Sequence, residues 1–325
     1  MAAPDPFTFA LFRIAAGPRI GHGHLRRAEV LAHALGQPAR VSIRGGGAGS
    51  SLTVAPRAAA GVTLDALRPR VLILDDPDGR HGRPWVSAAA RRRVPVVSLH
   101  DLGLGRVAST LAVDGSVASP RRGWLAGCTV RGLPYAVIAP PQRRPRSRVL
   151  RRVLVSLGGG PRRLLTLAVA REVAARHPDL EVLVAQASGS TAPATADGPV
   201  RRVLAVAGLA PWLARVDMAV VGGGVSLYEA VAAGVPSVAL AVVPAQRQTV
   251  RGFAARRLTL DGGGVPARAR PRVVARRVVD RFDRLVEDAA LRRRMMTAGP
   301  RAVDGRGAHR VARAILAAAE AASRA

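Results

Sequence analysis

The residues best suited to chemistry stand together at Ile20-Gly21-His22-Gly23-His24-Leu25-Arg26-Arg27, directly after the apolar run 9–16. Glycines let backbone N–H groups approach an anion closely, and a helix starting there adds partial positive charge at its N-terminus. Imidazoles set this turn apart from an ordinary phosphate loop, because histidine exchanges protons near neutral pH. An anion-tolerant turn carrying a base is a candidate active site. His24 is the expected base, His22 the second choice, and Gly21 and Gly23 the backbone that meets substrate.

A second set lies in the far half, at Val220-Val221-Gly222-Gly223-Gly224-Val225-Ser226-Leu227-Tyr228-Glu229. Strand, three glycines and helix follow one another, with Ser226 placed to cap the helix and donate to an anion. Glu229 is expected in the first helical turn, where it either complements the helix dipole or accepts both hydroxyls of a ribose. Gln246 and Gln248 lie beyond the next strand, where a sheet-edge site would be. Ser156-Leu157-Gly158-Gly159-Gly160 is a third glycine turn, equally a phosphate contact or a tight turn in a sheet.

Asp75, Asp76, Asp78 and His81 have the residue types of a Mg²⁺ or Mn²⁺ site. Asp-Pro-Asp-Gly is also ordinary turn chemistry, and that account is preferred, so no metal and no cofactor are expected. Asp75 ends a strand and is expected to line the substrate site. His33 falls on the helix after the first turn, while His81, His100, His177 and His309 have no partner legible in the sequence. No nucleophile elbow with a Ser-His-Asp order is present.

These turns need a scaffold that ends strands beside helix starts. The chain alternates strand-like and helix-like segments, as α/β layers with parallel sheets do. Strands are expected at 8–15, 71–75 and 94–99, with helices at 25–35 and 86–93. The Pro- and Arg-rich stretch 140–150 reads as a linker. Beyond it come strands 152–157, 180–185, 218–221 and 237–242 and helices 164–176 and 226–233. Two Rossmann-like domains facing a cleft are expected, 1–139 and 151–307. A helix near 308–323 is expected to pack across their junction.

The 325 residues suffice for two cores, and 49% are apolar, which excludes general disorder. No apolar run reaches the ~20 residues that span a bilayer, and Arg13 interrupts the first one, so a secretory signal is not expected. The lone Cys128 forms no internal disulfide, which suits a reducing cytoplasm. The chain has no lysine and no asparagine, and its 50 basic residues, all arginine, give a formal charge of +29. GC-rich coding explains the choice of arginine but not the shortage of acids. Such a charge favours anionic partners, including peripheral contact with an anionic membrane. With aromatics at 3% and no reading module, nucleic acid is not an expected partner.

Taken in order, the 20–27 turn, the Val153–Gly160 turn and the Asp217–Gln248 block resemble the PseG/SpsG nucleotide-sugar hydrolase family, relatives of MurG-like glycosyltransferases. The likeness extends over nearly the whole chain, Arg131-Gly132-Leu133-Pro134-Tyr135 included. It implies a GT-B fold and a UDP-sugar substrate. UDP would be held by Gly222, Gly223, Gly224, Ser226 and Glu229, with Gly158 and Gly159 contributing and Gln246 and Gln248 facing the diphosphate or sugar. His24 matches the family's base at the sugar C1. Where such hydrolases commonly carry Asp followed two residues later by Tyr, this chain has Asp75-Asp76-Pro77. The resemblance implies a cytoplasmic hydrolase that releases UDP from a UDP-linked amino-deoxy sugar for cell-surface glycan synthesis. The alternatives are a glycosyltransferase of the same fold, with an acceptor hydroxyl in place of water, and an inactive nucleotide-sugar binding protein.

Overall fold

A computed structural model describes residues 8–17, 20–45, 49–143, 149–158, 162–186, 196–197, 200–205 and 208–324. The chain forms two compact units, one running to Ile138 and resuming at Arg306, the other comprising Ala139–Gly305.

The sheet of the first unit contains β1 (Ala10–Ala15), β2 (Ala39–Arg44), β3 (Thr53–Val54), β4 (Val71–Asp75), β5 (Val96–His100), β6 (Ser109–Asp114) and β7 (Ala126–Arg131). Their order is β3-β2-β1-β4-β5-β6-β7, and every pairing is parallel. The first four helices are α1 (Gly23–Leu35), α2 (Ala60–Leu67), α3 (Gly79–Ala90) and, in the second unit, α4 (Arg163–Arg176). Parallel strands covered on both faces read as nearly unbroken apolar runs, which is why β1 and β4 stand out in the sequence. Phe12, Ile14, Ile73 and Val97 pack with Leu25, Ala28, Leu31 and Leu35 of α1 on one face. On the other, Leu11, Leu72 and Leu74 meet Leu64 of α2 and Trp85, Ala88 and Ala89 of α3. α1 stops at Gly36, whose φ of +60 permits the left-handed cap that returns its N–H to Ala32 and His33.

The sheet of the second unit contains β8 (Arg152–Ser156), β9 (Glu181–Gln186), β10 (Ala196–Asp197), β11 (Val200–Leu204), β12 (Met218–Gly222), β13 (Ser237–Ala241) and β14 (Leu260–Gly264). The order is β10-β11-β9-β8-β12-β13-β14, parallel except for the terminal β10–β11 pair. Its other helices are α5 (Ala210–Leu213), α6 (Val225–Ala232), α7 (Arg247–Ala255), α8 (Pro271–Glu287) and α9 (Ala289–Ala302). Val153, Val155, Val220 and Val238 form the core with Val169 and Val173 of α4 and Val274, Val278 and Phe282 of α8.

Several elements differ from their expected extents. α3 starts at Gly79 rather than near 86, because the Asp78 side chain caps it by accepting from the Arg80 N–H. β5 runs one residue further, to His100. The final helix, α10 (Gly307–Arg324), seats Ala308, Val311, Ala312, Ile315 and Ala319 in the core of the first unit, against α1.

Ile315 is fully buried there. Ile315→Ala should therefore cost the first unit about 2–5 kcal/mol through lost burial and the cavity left behind. Denaturant titration followed by Trp85 fluorescence, with the other two tryptophans replaced by Phe, checks this. A loss below about 1 kcal/mol would mean that the helix is not seated in that core.

Candidate active site

Ligands of doubly wound sheets bind outside the carboxyl ends of the strands, where the strand order reverses. In the first unit that point lies between β1 and β4. After β1 the chain turns between Gly17 and Gly21, whose N–H groups donate to each other's carbonyls at 3.2 and 2.7 Å. Gly21 takes φ +93, with open space where a side chain would begin. The helix then opens at Gly23, which puts His24 and Arg27 one turn apart on the same face. β4 ends beside them at Asp75, in register with Ile14 of β1.

Asp75 holds this group together. Its side chain is only 1% exposed. His24 Nδ1 lies 2.8 Å from Asp75 Oδ1. Arg27 Nε donates to Oδ2 at 2.7 Å, and Arg27 Nη2 closes on Oδ1. Arg27 Nη1 donates to Asp101 Oδ1, just beyond β5, at 2.7 Å. Arg27 Nη2 is also 3.1 Å from His24 Nδ1, but a guanidinium only donates. A carboxylate beside Nδ1 requires the proton on Nδ1, so the Arg27 contact there is proximity rather than a hydrogen bond. Nε2 is thereby left as the basic nitrogen, without a hydrogen-bond partner among the described residues.

The electrostatics fit that assignment. Burial opposes a charge on His24, yet the Asp75 charge and hydrogen bond outweigh it and raise the imidazole pKa. Burial also works against the Asp75 carboxylate, but Arg27 and His24 prevail and hold it well below the usual carboxylate range. Arg27, opposed by burial and supported by Asp101 and Asp75, is held well above its ordinary value.

Asp75 therefore does not line the site as a substrate contact; it is buried behind His24 and Arg27. Arg27 is the residue the sequence reading missed, although its spacing of three from His24 was a legible signal. Asp76 is clamped by Arg44 through Nε at 2.7 Å and Nη2 at 2.8 Å, and Asp78 is engaged by Arg80. Among the described residues no group of three His, Cys, Asp or Glu side chains is disposed to hold a metal ion. His22 precedes α1, makes no side-chain cap and is exposed.

Further along the same edge, His100 does have partners, contrary to expectation. Nδ1 donates to the Leu104 carbonyl at 2.9 Å, so Nε2 accepts from the Ser98 hydroxyl at 2.8 Å. Its ring lies 5.3 Å from that of Trp124, and burial lowers its pKa. Buried Asp114 at the end of β6 accepts from the N–H groups of Gly103 and Ser116 at 2.6 and 2.9 Å, fixing the loop after β5. His177 Nε2 meets Asp283 at 2.8 Å and His81 approaches Asp78 at 3.8 Å, so these two are partnered as well.

In the second unit the strand order reverses between β8 and β12, and the glycine turns follow these two strands. Gly158 adopts φ +95 with open space around it; Gly159 and Gly160 lie outside the described residues. A Cβ on Gly222 would stand 3.2 Å from the Leu157 carbonyl, and one on Gly223 would meet Val250 at 2.6 Å and Gln246 at 3.1 Å. The glycines thus permit close packing of β12, β8 and α7. Gly223 donates its own N–H to Leu240, so that group is spent within the fold. The N–H groups of Val225 and Ser226 open α6 without backbone partners among the described residues, as helix starts do.

Two expectations are corrected here. The residue preceding α6 is Gly224, so Ser226 is the second helical residue rather than its cap. Glu229 is the fifth, past the first turn, which removes its expected dipole role. Gln246 is pinned over the turn, its Oε1 accepting from the Val242 N–H at 3.0 Å and its Nε2 standing 3.2 Å from a Cβ built on Gly224. Gln248 is exposed on α7 and is not brought to the glycines by any such contact.

No protein-family model and no curated protein matches this chain. Solved structures of the same fold do. The glycosyltransferase of kitacinnamycin is 16% identical with a TM-score of 0.63, over 96% of this chain and 99% of that one. MurG of Acinetobacter baumannii is 14% identical with a TM-score of 0.60, over 95% and 99%. The UDP-GlcNAc 2-epimerase of Neisseria meningitidis, bound to UDP-GlcNAc, is 10% identical with a TM-score of 0.61, over 95% and 100%. The chain has the two-sheet α/β fold of these proteins.

Removing the Asp75 charge should lower the His24 pKa, because burial and Arg27 oppose the imidazolium and Asp75 is its main support. An NMR titration of the His24 ring in Asp75→Asn should show the midpoint at lower pH than in the unaltered protein. An unchanged midpoint would mean that the pair does not form.

Proposed function

We propose that the protein transfers a sugar from a nucleoside-diphosphate sugar to an acceptor hydroxyl, with His24 as general base. The observation that carries this reading is the His24–Asp75 pair: Nδ1 is tied to a buried carboxylate, and Nε2 is left basic at the switch point of the first sheet. A carboxylate in that position holds the tautomer and stabilises the imidazolium that forms. As the acceptor oxygen bonds to the sugar C1, its proton passes to Nε2. The C1–O bond to the diphosphate breaks, and its electron pair leaves with the phosphate.

The second unit carries groups suited to a diphosphate. The N–H groups at the start of α6, without backbone partners among the described residues, and the amide Nε2 of Gln246 are suited as donors to a diphosphate's negative charge, held in place before it binds. Glu229 is assigned to the ribose hydroxyls and Ser226 to a phosphate. The fold neighbour named as the glycosyltransferase of kitacinnamycin, and the epimerase bound to UDP-GlcNAc, are consistent with a nucleotide-sugar donor. UDP as the nucleotide rests on the resemblance of the motifs. The arginine surplus favours an acceptor carried on an anionic membrane. Hydrolysis, with water in place of the acceptor, is the second reading, and the Gly-His-Gly-His turn favours it by its likeness to the hydrolase family.

Release of UDP from UDP-sugars, followed with and without lipid-linked acceptors, separates the two. Transfer predicts release that depends on acceptor; equal release in water alone would establish hydrolysis instead. In either case His24→Ala should reduce the rate by about 10²–10⁴-fold, the usual worth of general-base help. Retention of the full rate would remove the base assignment. Glu229→Ala should weaken UDP binding measurably by calorimetry, and unchanged affinity would overturn the ribose assignment.

A further inference from the structure

The second unit holds a cavity of about 380 Å³ away from its glycine turns. It lies where β14 begins and where α8 gives way to α9, and residues of the end of α7 also line it. In a sheet whose strands β12, β13 and β14 run parallel, the start of β14 is at the opposite edge from Gly222–Gly224. The less exposed part of the lining is mostly apolar, Ala254, Leu260, Leu291 and the buried Met295, with Thr259, whose hydroxyl is bonded to Ser237. Around it stand Arg257, Arg284 and Arg294, all exposed.

These three guanidiniums have no carboxylate or carbonyl partner among the described residues, unlike Arg27, Arg44, Arg92 or Arg176. The one acid in the lining, Asp288, is occupied: its Oδ1 accepts from the Leu291 N–H at 2.8 Å and caps α9. Three guanidiniums against one carboxylate leave two net positive charges at a concave, apolar-floored site. A phosphomonoester carries about −1.5 to −2 at neutral pH, and guanidinium groups pair well with phosphate oxygens. The volume lies in the ~300–1,000 Å³ range of small-molecule sites.

We propose that this cavity binds a small organic phosphate, its phosphate among Arg257, Arg284 and Arg294 and its apolar body on Leu260, Leu291 and Met295. The site is independent of the nucleotide-sugar reading, since none of its residues belongs to the glycine turns or to the His24 group. The concave floor favours a discrete molecule over a flat anionic surface.

Calorimetry with phenyl phosphate as the probe, in the whole protein, tests the proposal. Arg257→Gln/Arg294→Gln should weaken binding at least tenfold, while Arg121→Gln/Arg122→Gln, on exposed arginines of the other unit, should leave it unchanged. Ala290→Trp, which fills the cavity and keeps all three charges, should weaken it to a similar degree. Inorganic phosphate, lacking the apolar body, should bind at least fivefold more weakly than phenyl phosphate. Equal loss in the two arginine pairs, or full binding in Ala290→Trp, would overturn the proposal in favour of diffuse surface attraction. Binding to phosphatidylglycerol vesicles that needs Arg257 and Arg294 but tolerates Ala290→Trp would overturn it in favour of a membrane surface.

Discussion

The candidate active site depends on one buried charge. Removing a carboxylate from water costs several kcal/mol unless opposite charges and hydrogen bonds replace the lost hydration. Asp75 meets that requirement with two donors from a single helical face, His24 and Arg27. Three separate segments are thereby fixed to one point: the end of β4, the start of α1 and, through Arg27, Asp101 beyond β5. The imidazole receives from the same arrangement its tautomer, its raised pKa and its orientation. Loss of Asp75 would strip the buried Arg27 and His24 of the carboxylate they share, so this polar group is structural and chemical at once.

Arginine is well matched to that task. Its planar fork reaches Asp75 with one edge and Asp101 with another, which a lysine ammonium cannot do with the same geometry. The same fork clamps Asp76 from Arg44 and Asp65 from Arg92. In a chain without lysine, arginine therefore serves at buried pairs and at bare surface alike. Excess of type does not mean equivalence of role: Arg27 is nearly enclosed, whereas Arg257 and Arg294 stand in solvent.

Both sheets were legible because their central strands are buried on two faces. Ala10–Ala15, broken only by Arg13, and Val71–Asp75 and Met218–Gly222, which end at aspartate and glycine, show this as apolar runs. β2 and β7 were not, since Ala39–Arg44 and Ala126–Arg131 mix arginine and small residues nearer the sheet edge. α8 was hidden by its arginines, although Val274, Val278, Phe282 and Leu285 keep helical spacing beneath them. At the site, His24 and the glycine turns were readable from local pattern. The bond from His24 to Asp75 joins residues 51 apart, and only the parallel pairing of β1 with β4 brings them together. For the same reason His177 looked solitary in sequence, its partner Asp283 being 106 residues away, whereas His100 is held by Ser98 and Leu104 close by in the chain, through a turn geometry that residue types alone do not reveal.

The return of α10 to the first unit has a consequence for how the chain comes to be folded. A nascent polypeptide usually completes its N-terminal domain first, as that segment leaves the ribosome. Here α1 awaits α10, and Val311 and Ile315 are translated only after every strand of the second sheet. The second unit can close on its own segment while the first still exposes the apolar face of α1. During synthesis the order of completion is reversed, and the half that begins first is sealed last.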